Sequence, residues 1–259
     1  MKWKELNVID YWFVLPVTIA ISTAVSSIGI GGGVLLMPFF LIVLKLSPEI
    51  AVTTSLIIQT AGMGSASFTC IRQQRVDFKL ALFILAIAIP GVIGGAFLAG
   101  SLKSSSMQLV LGILVMTTAF LFVSSDEKYT DLGNSNVDME EAYRHSWITI
   151  PASIASGMLS TSMSEWLIPV MRSKLSLKMS NAIGTCLVIA FAVSCVGAVS
   201  HLLIGSQPNY NVIGWAIPGV IIGGQIGPRI TKRINERLLK EVFVFFLTLV
   251  GIHLVYNSY

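Results

Sequence analysis

Charge is scarce in this 259-residue chain: Asp, Glu, Lys and Arg together make up 12% of it, where soluble domains carry about a quarter. With 54% hydrophobic residues and a mean hydropathy of +0.79, the shortage excludes a soluble globular protein and implies one built for a bilayer. Cysteine is scarce too. Cys70, Cys186 and Cys195 lie in apolar surroundings without CxxC spacing, which signals neither a disulfide framework nor a zinc site and leaves them as small core residues. None of the three histidines accompanies a GxSG-type stretch at mid-membrane, which argues against an intramembrane hydrolase, since that needs a nucleophile paired with a base. No nucleotide-binding loop or iron–sulfur spacing is present, so no cofactor, metal or nucleic-acid partner is expected and energy must come from a gradient.

What the chain has in quantity is long apolar runs, at 8–44, 48–71, 80–100, 106–124, 146–172, 178–205, 211–230 and 236–257. Most are near the 17–25 residues that span a bilayer. The start, MKWKELNVIDYWFVLPVTIA, has the charged opening of a signal peptide. Its apolar stretch runs on without a clear small-residue cleavage site, so it reads as retained.

The sequence repeats. A shift of 131 residues aligns Pro38 with Pro169, Leu46 with Leu177, Ala51 with Ala182 and Thr54 with Thr185 without a gap, and places Gly31 to Gly33 on Ser162 to Ser164. After a small change of offset, PGVIGGAF from Pro90 resembles PGVIIGGQIG from Pro218. Weak internal similarity of this kind is the trace of a duplicated transporter. Residues 1–123 read as the first transmembrane repeat, 124–145 as a polar linker too poor in apolar residues to form a domain, and 146–259 as the second repeat.

Positive charge then sets orientation. The bridges RQQRVDFK (Arg72, Arg75, Lys79), RSKLSLK (Arg172, Lys174, Lys178) and RITKRINERLLK (Arg229, Lys232, Arg233, Arg237, Lys240) should all be cytoplasmic. One crossing per apolar run would put the first of them on the wrong side. Segment 8–44 would also be about 55 Å long as a single helix at 1.5 Å per residue, against a hydrocarbon core of about 30 Å. Reading 8–44 and 146–172 each as a pair broken in the membrane places all three bridges inside and HLLIGSQPNYN (His201 to Asn211), which has no Lys or Arg, outside. The expected fold is therefore an all-α polytopic membrane protein of two inverted repeats, each a broken or re-entrant helix pair plus about three spanning helices.

The breaks carry the candidate site. In SSIGIGGGVLLMP the glycines Gly29 and Gly31 to Gly33 interrupt an apolar stretch. Backbone freed at that depth is tolerated only where protein or a water-filled cavity covers it. Gly31, Gly32 and Gly33 offer unshielded amides at the start of a helix, which favours an anion; the competing reading is close helix packing. The matching STSMSEW stretch supplies Ser162 and Ser164, expected opposite the glycine amides. Thr54, Ser55 and Gln59 of AVTTSLIIQT and Asn181 and Thr185 of NAIGTC add polar groups, with Thr54 and Thr185 expected as paired hydroxyl donors to one ligand. Membrane hydroxyls also bond to their own helix backbone, and Gln59 and Gln225 can simply bridge helices. Glu165, aligned with Val34, is an ionisable group just past the second break and a functional candidate by position. It could cap its helix, couple a proton, or sit at the interface, with capping narrowly favoured. His201 reads as interfacial, and Arg72 and Arg229 as membrane-edge anchors.

GIGGGVLLMPFFLIVLKLSPEIAVTTSL, RQQRVDF and PGVIGGAFLAG, in that order and spacing, resemble the TauE/SafE family of membrane permeases, also described as sulfite exporters. The resemblance covers nearly the whole chain and carries the family's glycine motif onto Gly29 and Gly31 to Gly33, its proline onto Pro38 and its Thr-Ser pair onto Thr54 and Ser55. It implies movement of a small sulfur-containing anion such as sulfite, sulfoacetate or a related organosulfonate. The second half departs from the pattern at Ser162-Met163-Ser164-Glu165 and at Thr185-Cys186. The expected protein is a secondary transporter in a prokaryotic inner membrane, working by alternating access. Export is the expected direction, because an anion leaving an inside-negative cell gains about 2.3 kcal/mol per charge at 100 mV. A passive anion channel, a proton-coupled uptake permease and a structural subunit are the alternatives. Oligomeric state is left open.

Overall fold

The structure, a computed structural model, describes residues 11–27, 32–124, 133–134, 137–230 and 236–256. Among these every named element is a helix, as a chain that must satisfy its backbone inside a bilayer requires. The order is α1 (Val14–Ser27), α2 (Gly33–Ile42), α3 (Pro48–Arg72), α4 (Phe78–Ser101), α5 (Ser104–Ser124), α6 (Met139–His145), α7 (Thr149–Leu159), α8 (Ser164–Ser173), α9 (Met179–Leu203), α10 (Tyr210–Ile230) and α11 (Glu236–Tyr256). By length and composition, α4 and α9 are apolar enough to cross a membrane.

The duplication is written into these boundaries. Moving α2 and α3 along the chain by 131 residues lands each end on the corresponding end of α8 and α9. The run 8–44 divides at the glycines into α1 and α2, and 146–172 divides at Ser160–Met163 into α7 and α8. Local chemistry sets several ends. Pro48 opens α3, where its missing N–H costs nothing. Asp77 caps α4, its Oδ1 accepting from the Lys79 and Leu80 amides at 3.1 Å each. Asn209 Oδ1 accepts from the Val212 amide at the start of α10.

Packing exchanges elements between the halves: α1 lies on α10, α4 on α7, α3 on α9 and α5 on α11. Two seams are held close by glycine. On α10, a Cβ at Gly223 would be built into the α1 backbone at Ile19 and Thr23, and on α4 a Cβ at Gly95 would be built into Ile154 of α7. The PGVIGG and PGVIIGG similarity is thus a pair of small-residue helix contacts. Gln225 joins α10 to α3 through Ser65 Oγ at 2.7 Å, the helix-bridging role open to it from sequence. Leu82, Phe97, Phe120, Leu203 and Phe245 point outward, an apolar exterior suited to lipid.

α3 and α9 run antiparallel. Ser206 and Asn209, just past the end of α9, hydrogen-bond Thr53 and Thr54 at the start of α3; Asp77, just past the end of α3, hydrogen-bonds Thr185 near the start of α9. This places the first two basic bridges at one end of the helix pair and segment 201–211 at the other. The centre of the third bridge lies outside the described residues.

Segment 124–145 is more than a polar connection. Gly133, at φ +133°, a conformation that favours glycine, leads into Asn134, which pairs with the Ser176–Lys178 strand-like turn through bonds of 2.8 and 2.9 Å. The Val137 amide donates to Asp77 Oδ2 at 3.0 Å, and Tyr143 of α6 packs edge-on against Phe83 of α4 at 4.4 Å. The segment contains α6 and ties the bridges of both halves together.

Candidate functional site

The two breaks meet. α7 ends at Leu159, and Ser160 takes a left-handed conformation, φ 59° and ψ 22°, uncommon for a residue with a side chain. That turn directs the Ser160 carbonyl at the start of α2, so close to Gly33 that a Cβ there would be built into the Ser160 oxygen and the Gln59 amide. Gly33 is glycine because of this approach. Gln59 of α3 closes the cluster, its Nε2 lying 2.8 Å from the Ser160 carbonyl oxygen, 2.6 Å from Ser160 Oγ and 3.2 Å from Ser55 Oγ. Ser55, Gln59 and Ser160 are all buried. Buried amides and hydroxyls are costly unless partnered; here Ser55 is partnered within α3 and Gln59 meets Ser160 across the join of the two halves.

The second break is built from small polar residues. Ser160, Thr161, Ser162, Met163, Ser164 and Glu165 are buried in succession. Ser162 Oγ accepts from the Ser164 amide at 3.2 Å and donates to Ser164 Oγ at 3.0 Å, satisfying one of the orphan donors at the start of α8. Glu165 does not cap. The N-cap position belongs to Met163 with no side-chain cap bond, and neither carboxylate oxygen of Glu165 has a hydrogen-bond partner although the residue is 3% exposed. The narrowly favoured capping role is therefore corrected: the helix packing turns the carboxylate into protein instead of back onto its own amides.

On the first break, Gly32 and Gly33 are described and Gly31 and Gly29 lie outside the described residues. Gly32 borders a narrow cavity of about 20 Å3, with Ser22, Ser26 and Gln59 on its walls, room for about one water molecule. A larger cavity of about 200 Å3 opens near the far end of α9, bounded by Glu49, Ala96, Ala99, His201 and Ser206. His201, in the last turn of α9, is buried, its Nε2–H donating to the Gly157 carbonyl of α7 at 2.8 Å.

The structure thus brings Gly33, Ser55, Gln59 and the second break together. It does not bring Thr54 and Thr185 together. Thr54 Oγ1 accepts from the Asn209 amide and Thr185 Oγ1 from the Asp77 amide, each at 2.9 Å and at opposite ends of the α3–α9 pair, which corrects the expectation of paired donors to one ligand. Asn181 lies in the first turn of α9 beside Lys178, at the end where segment 124–145 attaches. Sequence reasoning missed Ser160. Its only local signal was a place in the small-polar run before the break, and its partners come from the other half.

The site is also one-sided. By the 131-residue register Ser55 and Gln59 of α3 correspond to Cys186 and Ala190 of α9, and Cys186 packs its sulfur on Met171 at 3.6 Å. Among the described residues the polar join therefore has no copy across the repeat.

The chain is 24% identical to the "Probable membrane transporter protein YunE" of Bacillus subtilis (strain 168), over 95% of this chain and 98% of that protein. It is 25% identical to "Probable membrane transporter protein YjnA" of the same organism, over 86% and 93%. It is 24% identical to "Probable membrane transporter protein MamO" of Paramagnetospirillum magneticum (strain ATCC 700264 / AMB-1), over 87% of this chain and 41% of that protein. No solved structure matches. The family model for the sulfite exporter TauE/SafE spans residues 14–254, from the first turn of α1 almost to the end of α11, so both helix breaks and the join between them belong to a chain that is a member of the TauE/SafE family of membrane transporters.

Proposed function

We propose that this protein is a secondary transporter that carries a small sulfur-containing anion, sulfite, sulfoacetate or a related organosulfonate, through the join of its two broken helix pairs. The observation that carries the reading is the contact of Gly33 with Ser160 under the Gln59 amide, which puts the breaks of both halves in one place. Half-helix starts at α2 and α8 supply orphan amides and a partial positive charge. Gln59, Ser160 and Ser162 add donors that can turn from one another to an oxyanion. The substrate class rests on family membership.

Alternating access fits the architecture. The antiparallel run of the equivalent helices α3 and α9 supports inverted repeats, in which one half rocks against the other around a central site. The space beside Gly32 holds about one water, so an oxyanion enters when the breaks part. The direction is set by the net charge of the loaded site: a net negative load leaves an inside-negative cell with about 2.3 kcal/mol per charge at 100 mV, which favours export. Purified protein titrated with sulfite, sulfoacetate, sulfate and acetate tests the reading. The sulfur anions should bind, and Gln59→Leu should weaken them while the protein stays folded. Equal binding by wild type and Gln59→Leu would place the site elsewhere.

A further inference from the structure

Glu165 lies in the first turn of α8, directly after the buried serines of the second break. It is 3% exposed, and both its carboxylate oxygens are without hydrogen-bond partners. Titratable groups of α8 and α9 are engaged elsewhere. On α8, Arg172, two turns further on, donates through Nη1 to the Leu177 carbonyl at 2.9 Å. On α9, the helix packed along α8, Cys186 faces Met171 and His201 donates to Gly157. Among the described residues no donor reaches this carboxylate, and a buried negative charge without one is among the costliest arrangements a protein can hold. The equivalent residue in the first half is Val34, so packing at this position does not require an acid.

Resting on the reading of this join as an anion site, we infer that Glu165 is a proton-binding site whose occupancy is coupled to the transported anion. The start of α8 offers about half a positive charge, enough to favour one anion and not two. When the substrate takes that position, the carboxylate must give up its charge, and it does so by binding one proton from the side on which the anion enters. The proton forms the O–H of the neutral acid, which can donate to the oxyanion, and it is released when the anion leaves and the carboxylate is free to ionise. Proton and anion therefore cross together. A monoanion then moves without net charge and loses its electrical drive. A dianion such as sulfoacetate keeps one negative charge and is still drawn outward by an inside-negative potential.

Ethanesulfonate is a suitable probe, because it is the anion of a strong acid and carries one fixed charge across the neutral range. In proteoliposomes of the full chain, clamped at zero potential, an inward gradient of radiolabelled ethanesulfonate should acidify the lumen. Glu165→Gln, which keeps the size and the donor of the neutral acid, should carry ethanesulfonate with the acidification lost. Equal acidification in Glu165→Gln, or wild-type ethanesulfonate flux without acidification, overturns the coupling. Infrared spectroscopy of the membrane-embedded protein gives a readout independent of flux: in wild type a protonated carboxylic acid band should appear at neutral pH when ethanesulfonate is added, and without it only at lower pH; Glu165→Gln should lack this band under both conditions, and a wild type without it under both overturns the proton site. If wild type carries no ethanesulfonate at all, the anion-transport reading fails and the infrared band alone decides for Glu165.

Discussion

Thr54 and Thr185, 131 residues apart, make the same hydrogen bond in opposite directions across the molecule. Thr54 Oγ1 accepts the Asn209 amide of the second half, and Thr185 Oγ1 accepts the Asp77 amide of the first, each at 2.9 Å. Asn209 and Asp77 both cap the helix that follows them. Each threonine therefore pins the start of the other half's fourth helix.

Valine has threonine's shape without its hydroxyl. Thr185→Val should cost about 1–3 kcal/mol, because it strands a buried amide. Thr54→Val should cost less, since the Asn209 bond is only partly buried. Serine at either position should restore most of the loss. Thermal unfolding in detergent measures the order, and a larger loss for Thr54→Val would contradict it.

The two glycines of the first break should behave differently. A Cβ at Gly32 meets Leu36 Cδ1 at 3.4 Å, ordinary contact, whereas at Gly33 it would be built into backbone oxygen. Gly32 precedes α2 with right-handed backbone, φ −62° and ψ −17°, which alanine adopts freely, so Gly32→Ala should be tolerated. At Gly33, inside the helix, alanine's gain of up to about 1 kcal/mol in propensity over glycine cannot offset a collision with a carbonyl fixed by the turn at Ser160. Gly33→Ala should lower thermal stability and anion binding together, and a Gly33→Ala protein as stable as wild type would show that the breaks are not in close contact.

Gln59 can be tested by charge as well as by shape. Gln59→Glu replaces the donor by an acceptor facing the Ser160 carbonyl. The lost donor should cost about 1–3 kcal/mol, and where the new carboxyl is ionised it should repel an anion besides. Calorimetric titration with sulfoacetate should show weaker binding for Gln59→Glu than for Gln59→Leu, and the reverse order would argue against an anion near Gln59.

Topology follows from the antiparallel α3 and α9. In a background with Cys70, Cys186 and Cys195 replaced, single cysteines at Arg75 and Lys174 should be labelled from one side of the membrane and one at Gln207 from the other; all three residues are exposed. Labelling of Arg75 and Gln207 from the same side would remove the inverted arrangement.

The helical class, the duplication and the places where it breaks were legible in the sequence for a physical reason. A helix must satisfy its own backbone inside a bilayer, so an apolar run too long for one crossing has to break, and Gly31 to Gly33 and Ser160 to Ser164 mark where. The repeat register held to the residue across α2, α3, α8 and α9 because helix lengths allow no slippage. What the sequence could not supply is which groups meet. Equivalent residues of a repeat meet only where packing brings them together; Thr54 and Thr185 lie at opposite ends of the α3–α9 pair, so their equivalence meant equal environments and not a shared ligand. Ser160 became central only when α3, arriving from the other half, placed Gln59 on its carbonyl. Glu165 had the spacing of a helix cap, but whether a carboxylate reaches back to its own amides or turns into the protein is decided by the side chains packed around it, and those belong to the tertiary fold.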